Sequence, residues 1–269
     1  LTAADLKNRA LRVPVWIRGK PVVAEVKSLG SMNHPVFLVS GFGGERGAVI
    51  RRLKQIFKWE SPLPAVAEHF ALTDLRPLFV MFRGTPLAGE FGVYRALIKS
   101  IVHQQLNIEF ANELTKRFVD MYGFEQDGAK FYPQPDKVAT LTVDDLLRLQ
   151  FSRRKAEYVI GASKMIASGE LSMDDLSKAS NEDAVKILMQ IRGVGRWTAE
   201  SVLLFGIGRE DILPAGDVGI QNAFKHFFSR EDKPKEEELR EIGEREWSPY
   251  QSYASLSLWE SLGSHSVPL

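Results

Sequence analysis

The chain has 269 residues, 44% of them apolar, and a formal charge of +1: enough material for two packed units, and too balanced to mark a polyanion partner by net charge. It contains no cysteine, which excludes disulfides, thiolate metal sites, cysteine nucleophiles and iron–sulfur clusters, and its five histidines (34, 69, 103, 226 and 265) show no metal-ligand spacing. No apolar run of about 18 residues and no secretory pattern is present, so neither a membrane partner nor export is expected and intracellular residence is the default.

In chain order, Val13 to Ile17, Pro21 to Val26 and Val36 to Val39 carry strand signals, separated by turn-forming residues. Gly41-Phe42-Gly43-Gly44 ends the sheet, and Gly43-Gly44 reads as a turn rather than a phosphate loop. From Glu45 to Trp59 the period changes to that of a helix, with Ile50, Leu53, Ile56 and Phe57 on one face and Arg46, Arg51, Arg52, Lys54 and Lys58 on the other. Breaks at Ser61-Pro62-Leu63-Pro64 and Arg83-Gly84-Thr85-Pro86 place a domain boundary near 86. The expected class is α+β: a small antiparallel sheet-plus-helix domain over 1–86, then an all-α domain over 87–269.

Beyond 86 the pattern is helical almost throughout. Phe91 to Gln105 and Asn107 to Gly123 repeat apolar residues at helical spacing, while Thr142 and Ser172 each precede an acidic first turn, as helix caps do. Pro133 and Pro135 fall in the intervening loop, and Arg148, Arg153, Arg154 and Lys155 form a second basic cluster. The junction His103-Gln104-Gln105-Leu106-Asn107 interrupts two strong helical patterns with amides. Asn107 suits an N-cap, and a loop presenting glutamines also suits insertion into a duplex in place of an extruded base. His103 alone reads as a hydrogen-bonded structural histidine. Trp247 to Trp259 opens on a proline turn and becomes an aromatic-rich helix.

The most informative stretch is Gln190 to Gln221. Two helical patterns meet at Gly193-Val194-Gly195, where glycines permit positive φ and close backbone approach. Such a hairpin turns backbone N–H groups toward one spot and suits a phosphate oxygen. Asp217 stands ahead of the next helix, twenty residues past Trp197 (217 − 197 = 20). It reads both as an N-cap and as a carboxylate placed to act on a nucleotide that the hairpin grips.

These residues resemble the helix-hairpin-helix DNA glycosylases, and among them the alkyl-base (3-methyladenine, type II) enzymes. The resemblance rests on Ile191-Arg-Gly-Val-Gly-Arg-Trp-Thr-Ala, Leu213-Pro-Ala-Gly-Asp217, Gln104-Gln105 and Trp247-x-Pro-Tyr-x-Ser-Tyr-Ala, in the family's order over roughly 90–262. It implies two helical lobes in 87–269 with the active-site cleft between them, double-stranded DNA with damaged bases as partner, a monomer in the cytoplasm or nucleoid, and Asp217 as the catalytic carboxylate. Trp197, Trp259, Tyr253 and Ser201 would line the base pocket. Gln104, Gln105, Gly193, Val194, Gly195 and Thr198 would contact DNA, with Gln105 as the plug. No cofactor is required, although carbonyls of Met189, Ile191 and Val194 could hold Na+ or K+.

Trp197 falls where bifunctional members of the superfamily carry a Schiff-base lysine, so a covalent lyase step is not expected. Three departures leave substrate range open. Ser201 replaces a pocket aromatic, Gln251 replaces an arginine, and Gln105 is polar where an apolar wedge is found. Release of 3-methyladenine, 7-methylguanine and similar purines is the expected activity, with deaminated or etheno bases, or non-enzymatic damage binding, as alternatives.

Overall fold

The structure, a computed structural model, describes residues 3–31 and 34–263. Its first layer is an antiparallel sheet in the order β1 (Ala3–Asp5), β2 (Ala10–Ile17), β3 (Lys20–Ser28) and β4 (Phe37–Ser40). Arg18 and Gly19 both take positive φ (49° and 74°), the primed-turn geometry whose twist matches a two-residue hairpin between β2 and β3. Alternation along these strands turns Val13, Val15 and Ile17, with Val22, Ala24 and Val26, onto one face. There they pack against Val49, Leu53 and Ile56 of α1 (Arg46–Phe57) and close a small core. The sequence-predicted strands and helix are all present, and Gly43 and Gly44 form a turn with positive φ.

The larger body contains α2 (Leu63–Phe70), α3 (Arg76–Met81), α4 (Val93–His103), α5 (Ile108–Tyr122), β5 (Phe124–Gln126) and β6 (Ala129–Phe131). It continues through α6 (Pro135–Ala139), α7 (Val143–Leu147), α8 (Arg153–Ala167), α9 (Met173–Lys178), α10 (Asn181–Met189) and α11 (Arg196–Ser201). α11 passes into a π-helical turn, Val202–Ile207; α12 (Val218–Phe227), α13 (Glu236–Ile242), a second π turn (Gly243–Trp247) and α14 (Gln251–Ser261) complete it. Asn107, Thr142 and Ser172 cap α5, α7 and α9, as their side chains predict. α4 is the axial element: Ala96, Leu97, Ile98, Ile101 and Val102 are all buried in the core it shares with its neighbours.

Three features differ from the sequence expectation. Val66, Phe70, Leu75 and Leu78 of the α2–α3 region belong to the helical core, so we propose a domain boundary between Trp59 and Leu63 rather than near 86. The β5–β6 hairpin interrupts the helical domain, turning on Asp127 and Gly128 at φ 49° and 71°, an Asp-Gly signal that the sequence does carry. Trp16 of β2 packs edge-on against Phe124 and Phe131 of that hairpin, 6.0 and 5.7 Å between ring centres. Finally, Pro135 opens α6 instead of lying in a loop, because its fixed φ and missing N–H suit a first helical turn.

A strap at 89–91 ties the small sheet unit to the helical body. Gly89 N–H donates to Ile56 O and Glu90 N–H to Phe205 O, both at 2.7 Å, while Arg52 donates to Phe91 O at 3.0 Å. Phe205 lies in the first π turn, so this strap reaches the region where the candidate residues gather.

Candidate active site and nucleic-acid interface

α10 and α11 meet in a tight turn whose two glycines answer to different constraints. Gly193 has φ +89° and is covered by the Tyr158 ring of α8, such that a Cβ there would sit 2.2 Å from a ring carbon. Gly195 has φ −92° and open space where its Cβ would be. The turn is braced from α4: Gln104 Nε2 donates to Gly193 O and to Thr198 Oγ1, each at 2.9 Å. The first N–H groups of α11 have no intrahelical partner, as at any helix start. Gly193, Val194, Gly195, Thr198 and Gln104 are thus one unit, with the Gln104 amide bracing the turn from within the protein. Met189 and Ile191 precede the turn, and Ile191 O accepts the Val194 N–H at 3.0 Å.

Asp217 is fixed on three sides. Oδ1 accepts the Ile220 N–H of α12 at 2.8 Å and the indole N–H of Trp259 at 2.9 Å, while Oδ2 accepts the indole N–H of Trp197 at 2.8 Å. It is an N-cap and the focus of two tryptophans at once. The segment before it is held in turn, with Asp217 N–H on Pro214 O at 2.8 Å and Gln221 Nε2 on Ala215 O at 3.0 Å.

Trp197, whose indole N–H binds this carboxylate, lines a narrow cleft together with Ser201 and Phe205. The opposite side is α4, through Lys99, Ser100 and His103, with Glu90 at its edge. Ser201 Oγ donates to Trp197 O at 2.8 Å, so its small side chain turns back onto its own helix. Phe205, absent from the sequence-derived set, supplies the ring instead. It lies four residues after Ser201, on the same side of the helical path, and the π turn carries it there.

Two aromatics do not take the expected places. Trp259 is buried and stacks behind Phe205 (5.7 Å, 26°), so it presents its indole N–H to Asp217 and not an open face to the cleft. Tyr253 is six residues earlier on α14, well around the helix from Trp259. It lines a separate cavity with Leu63, Val66 and Phe79, and its hydroxyl reaches Glu210 at 3.2 Å. His103 also departs from expectation: its Nε2 is buried without a hydrogen-bond partner. Burial, then the nearby Lys99 ammonium, pulls its pKa down to about 4.

Gln105 is exposed at the end of α4 with φ +54°, a left-handed backbone that costs a non-glycine residue roughly 1–2 kcal/mol. The turn is held from beneath by Lys155 of α8, whose ammonium donates to Ile101 O, Val102 O and Gln104 O at 2.9, 2.9 and 2.7 Å. Lys155, one of the basic cluster, is therefore a cap for α4. A second brace also escapes sequence reasoning. Glu200 of α11, nearly fully buried, pairs with Arg240 at 2.8 Å and Arg196 at 3.1 Å, and burial raises its pKa. Arg240 also reaches Leu213 O, linking α11 to the segment that leads into Asp217. A lone glutamate in an apolar helical stripe was the available signal.

With this geometry in place, the comparisons with known proteins are specific. The family described as HhH-GPD superfamily base excision DNA repair protein matches residues 98–249. The chain is 44% identical over 263 residues to the Bacillus subtilis (strain 168) protein YfjP, provisionally named a DNA-3-methyladenine glycosylase, covering 97% of this chain and 91% of that one. It is 34% identical over 261 residues to the DNA-3-methyladenine glycosylase of the same organism, covering 89% and 84%. The solved 3-methyladenine DNA-glycosylase from Archaeoglobus fulgidus superposes with a TM-score of 0.84 at 25% identity, covering 97% of this chain and 89% of that one. No helix among the described residues is long and apolar enough to cross a membrane. The hairpin, the clamped aspartate and these likenesses agree: the chain belongs to the HhH-GPD superfamily of base excision DNA repair proteins, in its alkyl-base DNA glycosylase branch.

Proposed function

We propose that the chain is a monofunctional glycosylase acting as a monomer on double-stranded DNA, releasing alkylated purines such as 3-methyladenine and 7-methylguanine by hydrolysis. The observation that carries the reading is the Asp217 carboxylate, held by two indole N–H groups beside an aromatic cleft. The α10–α11 turn holds a backbone phosphate on the N–H groups of Gly193, Gly195 and Thr198, while Gln105 fills the gap left by the extruded base. The flipped base enters the cleft against Trp197, whose face attracts an electron-poor cationic ring by about 0.5–2 kcal/mol. As the N-glycosidic bond lengthens, positive charge develops on the deoxyribose. Asp217 stabilises that charge and accepts a proton from the attacking water.

Position 197 is tryptophan, which has no amine, and the lysine in the cleft, Lys99, is ion-paired with Glu90 at 2.7 Å. This arrangement supports hydrolysis without a covalent enzyme intermediate. Carbonyls of Met189, Ile191 and Val194 are the donors we assign to a Na+ or K+ ion; Ile191 O spends one lone pair on Val194 N–H and keeps a second.

The test is incubation with a methylated duplex, with released bases identified by mass spectrometry and strand integrity followed on the same sample. Free methylpurines with strands intact until alkali is added are expected. No released base would oppose the glycosylase reading. Spontaneous nicking, or a borohydride-trapped adduct, would oppose the monofunctional one.

A further inference from the structure

The cleft has one wall that the glycosylase reading leaves unused. Ala96, Lys99, Ser100 and His103 lie at helical spacing on a single face of α4 and line the cleft opposite Trp197 and Phe205. A face turned inward at this spacing is ordinarily apolar, yet three of these four residues are polar. The wall is assembled in advance. Glu90 is pinned between Arg95 at 2.8 Å and Lys99 at 2.7 Å, all three largely buried, and its backbone N–H is tied to Phe205 O. Lys99 has three N–H donors, and the ion pair to Glu90 uses one. His103 Nε2 stands buried and unpaired beside it, and in its Nε2–H tautomer it offers a donor that a bound partner would satisfy.

Resting on the glycosylase reading above, we propose that Lys99, Ser100 and His103 are specificity-determining residues that read the edge of the flipped base and bias the site toward 6-oxopurines. 7-Methylguanine and hypoxanthine present a carbonyl oxygen and its lone pairs to these donors. 3-Methyladenine presents an exocyclic amine instead, which sets donor against donor. Two cations, Arg95 and Lys99, surround the one carboxylate of Glu90, so this wall adds no attraction for a cationic base. Ser201, small and hydrogen-bonded back to Trp197 O, also lines the cleft and sets no ring of its own against these donors. The same donors assist a neutral leaving group. The C1′–N9 bond breaks with its electron pair going to the base, and negative charge reaching O6 meets the Lys99 ammonium. The water oxygen bonds to C1′, and its proton passes by way of Asp217 to the freed base.

The experiment measures single-turnover release of 7-methylguanine and 3-methyladenine from one methylated DNA, and of hypoxanthine from a defined duplex. The full chain is compared with His103→Ala, His103→Gln and Ser100→Ala, each checked for folding by circular dichroism. His103→Ala is expected to lower the ratio of 7-methylguanine to 3-methyladenine release about tenfold and to lower hypoxanthine release by a similar factor. His103→Gln, which keeps a donor, is expected to bring the ratio back to within about threefold of the parent, and Ser100→Ala to shift it in the same direction as His103→Ala. Ratios unmoved in His103→Ala and Ser100→Ala, or moved toward 7-methylguanine, overturn the proposal. If His103→Ala does not fold, the Ser100→Ala ratio decides alone. A parent chain that releases no base from any substrate overturns the glycosylase reading instead, a result distinct from an unmoved ratio.

Discussion

Trp197 and Asp217 are joined by a 2.8 Å hydrogen bond from the indole N–H to Oδ2, so the residue that fronts the cleft also orients the carboxylate beside it. Because Oδ1 is taken by Ile220 N–H and Trp259, both oxygens act as acceptors. An asparagine has a single acceptor oxygen and must turn its NH2 toward one indole N–H. Asp217→Asn should therefore abolish base release while leaving DNA affinity within a few-fold, measured by excision from methylated duplex and by binding to an abasic-site duplex. The donor–donor clash should cost about 1–3 kcal/mol of stability in urea unfolding. Undiminished release would remove Asp217 from the chemistry.

The two glycines of the hairpin should separate folding from binding. Gly193→Ala meets both a left-handed φ and the Tyr158 ring, and should lower stability by about 2 kcal/mol or more. Gly195→Ala meets nothing within the protein and should stay within about 0.5 kcal/mol of the parent. Its methyl instead occupies the space where a phosphate would approach, so DNA affinity should drop. Equal affinity in Gly195→Ala and the parent would move the phosphate grip elsewhere.

Gln105 carries backbone strain on an exposed turn. Gln105→Gly should relieve it and raise stability by about 1 kcal/mol. The same change removes the side chain assigned to fill the duplex gap, so excision should fall about tenfold on duplex DNA and less on single strands, which need no plug. A variant both more stable and equally active on duplex would show that the strain serves no such purpose.

His103 gives a pH signature. Burial holds its folded pKa at about 4, below the ordinary histidine value of 6.5. The unfolded chain therefore takes up the proton first, so this contribution is flat above pH 7 and stability is lost as pH falls from 6.5 toward 4. The loss between pH 7 and pH 5 should be about 2 kcal/mol in the parent and absent in His103→Ala, read as the difference between their urea midpoints at each pH. Parallel pH profiles would contradict it.

Periodicity and capping chemistry alone determined most of the secondary structure. Val13 to Ile17 has the β-branched and aromatic composition of a strand, α4 repeats at helical spacing, and Asn107, Thr142 and Ser172 fix their helix starts by local hydrogen bonds. The Gly-Val-Gly turn and the Asp217 cap are local too, which is why the hairpin and its aspartate stand out in the sequence. What the tertiary structure decided is which side chains meet. It separated Tyr253 from Trp259 by their angle around α14, brought Phe205 into the space left by Ser201 through a π turn, and buried His103 without a partner. It placed α2 and α3 in the larger core, and it joined Trp197 and Trp259 to one carboxylate. Such pairings depend on helix rotation and on the crossing of elements far apart in the chain, quantities that neither the 3.6-residue period nor the capping rules encode.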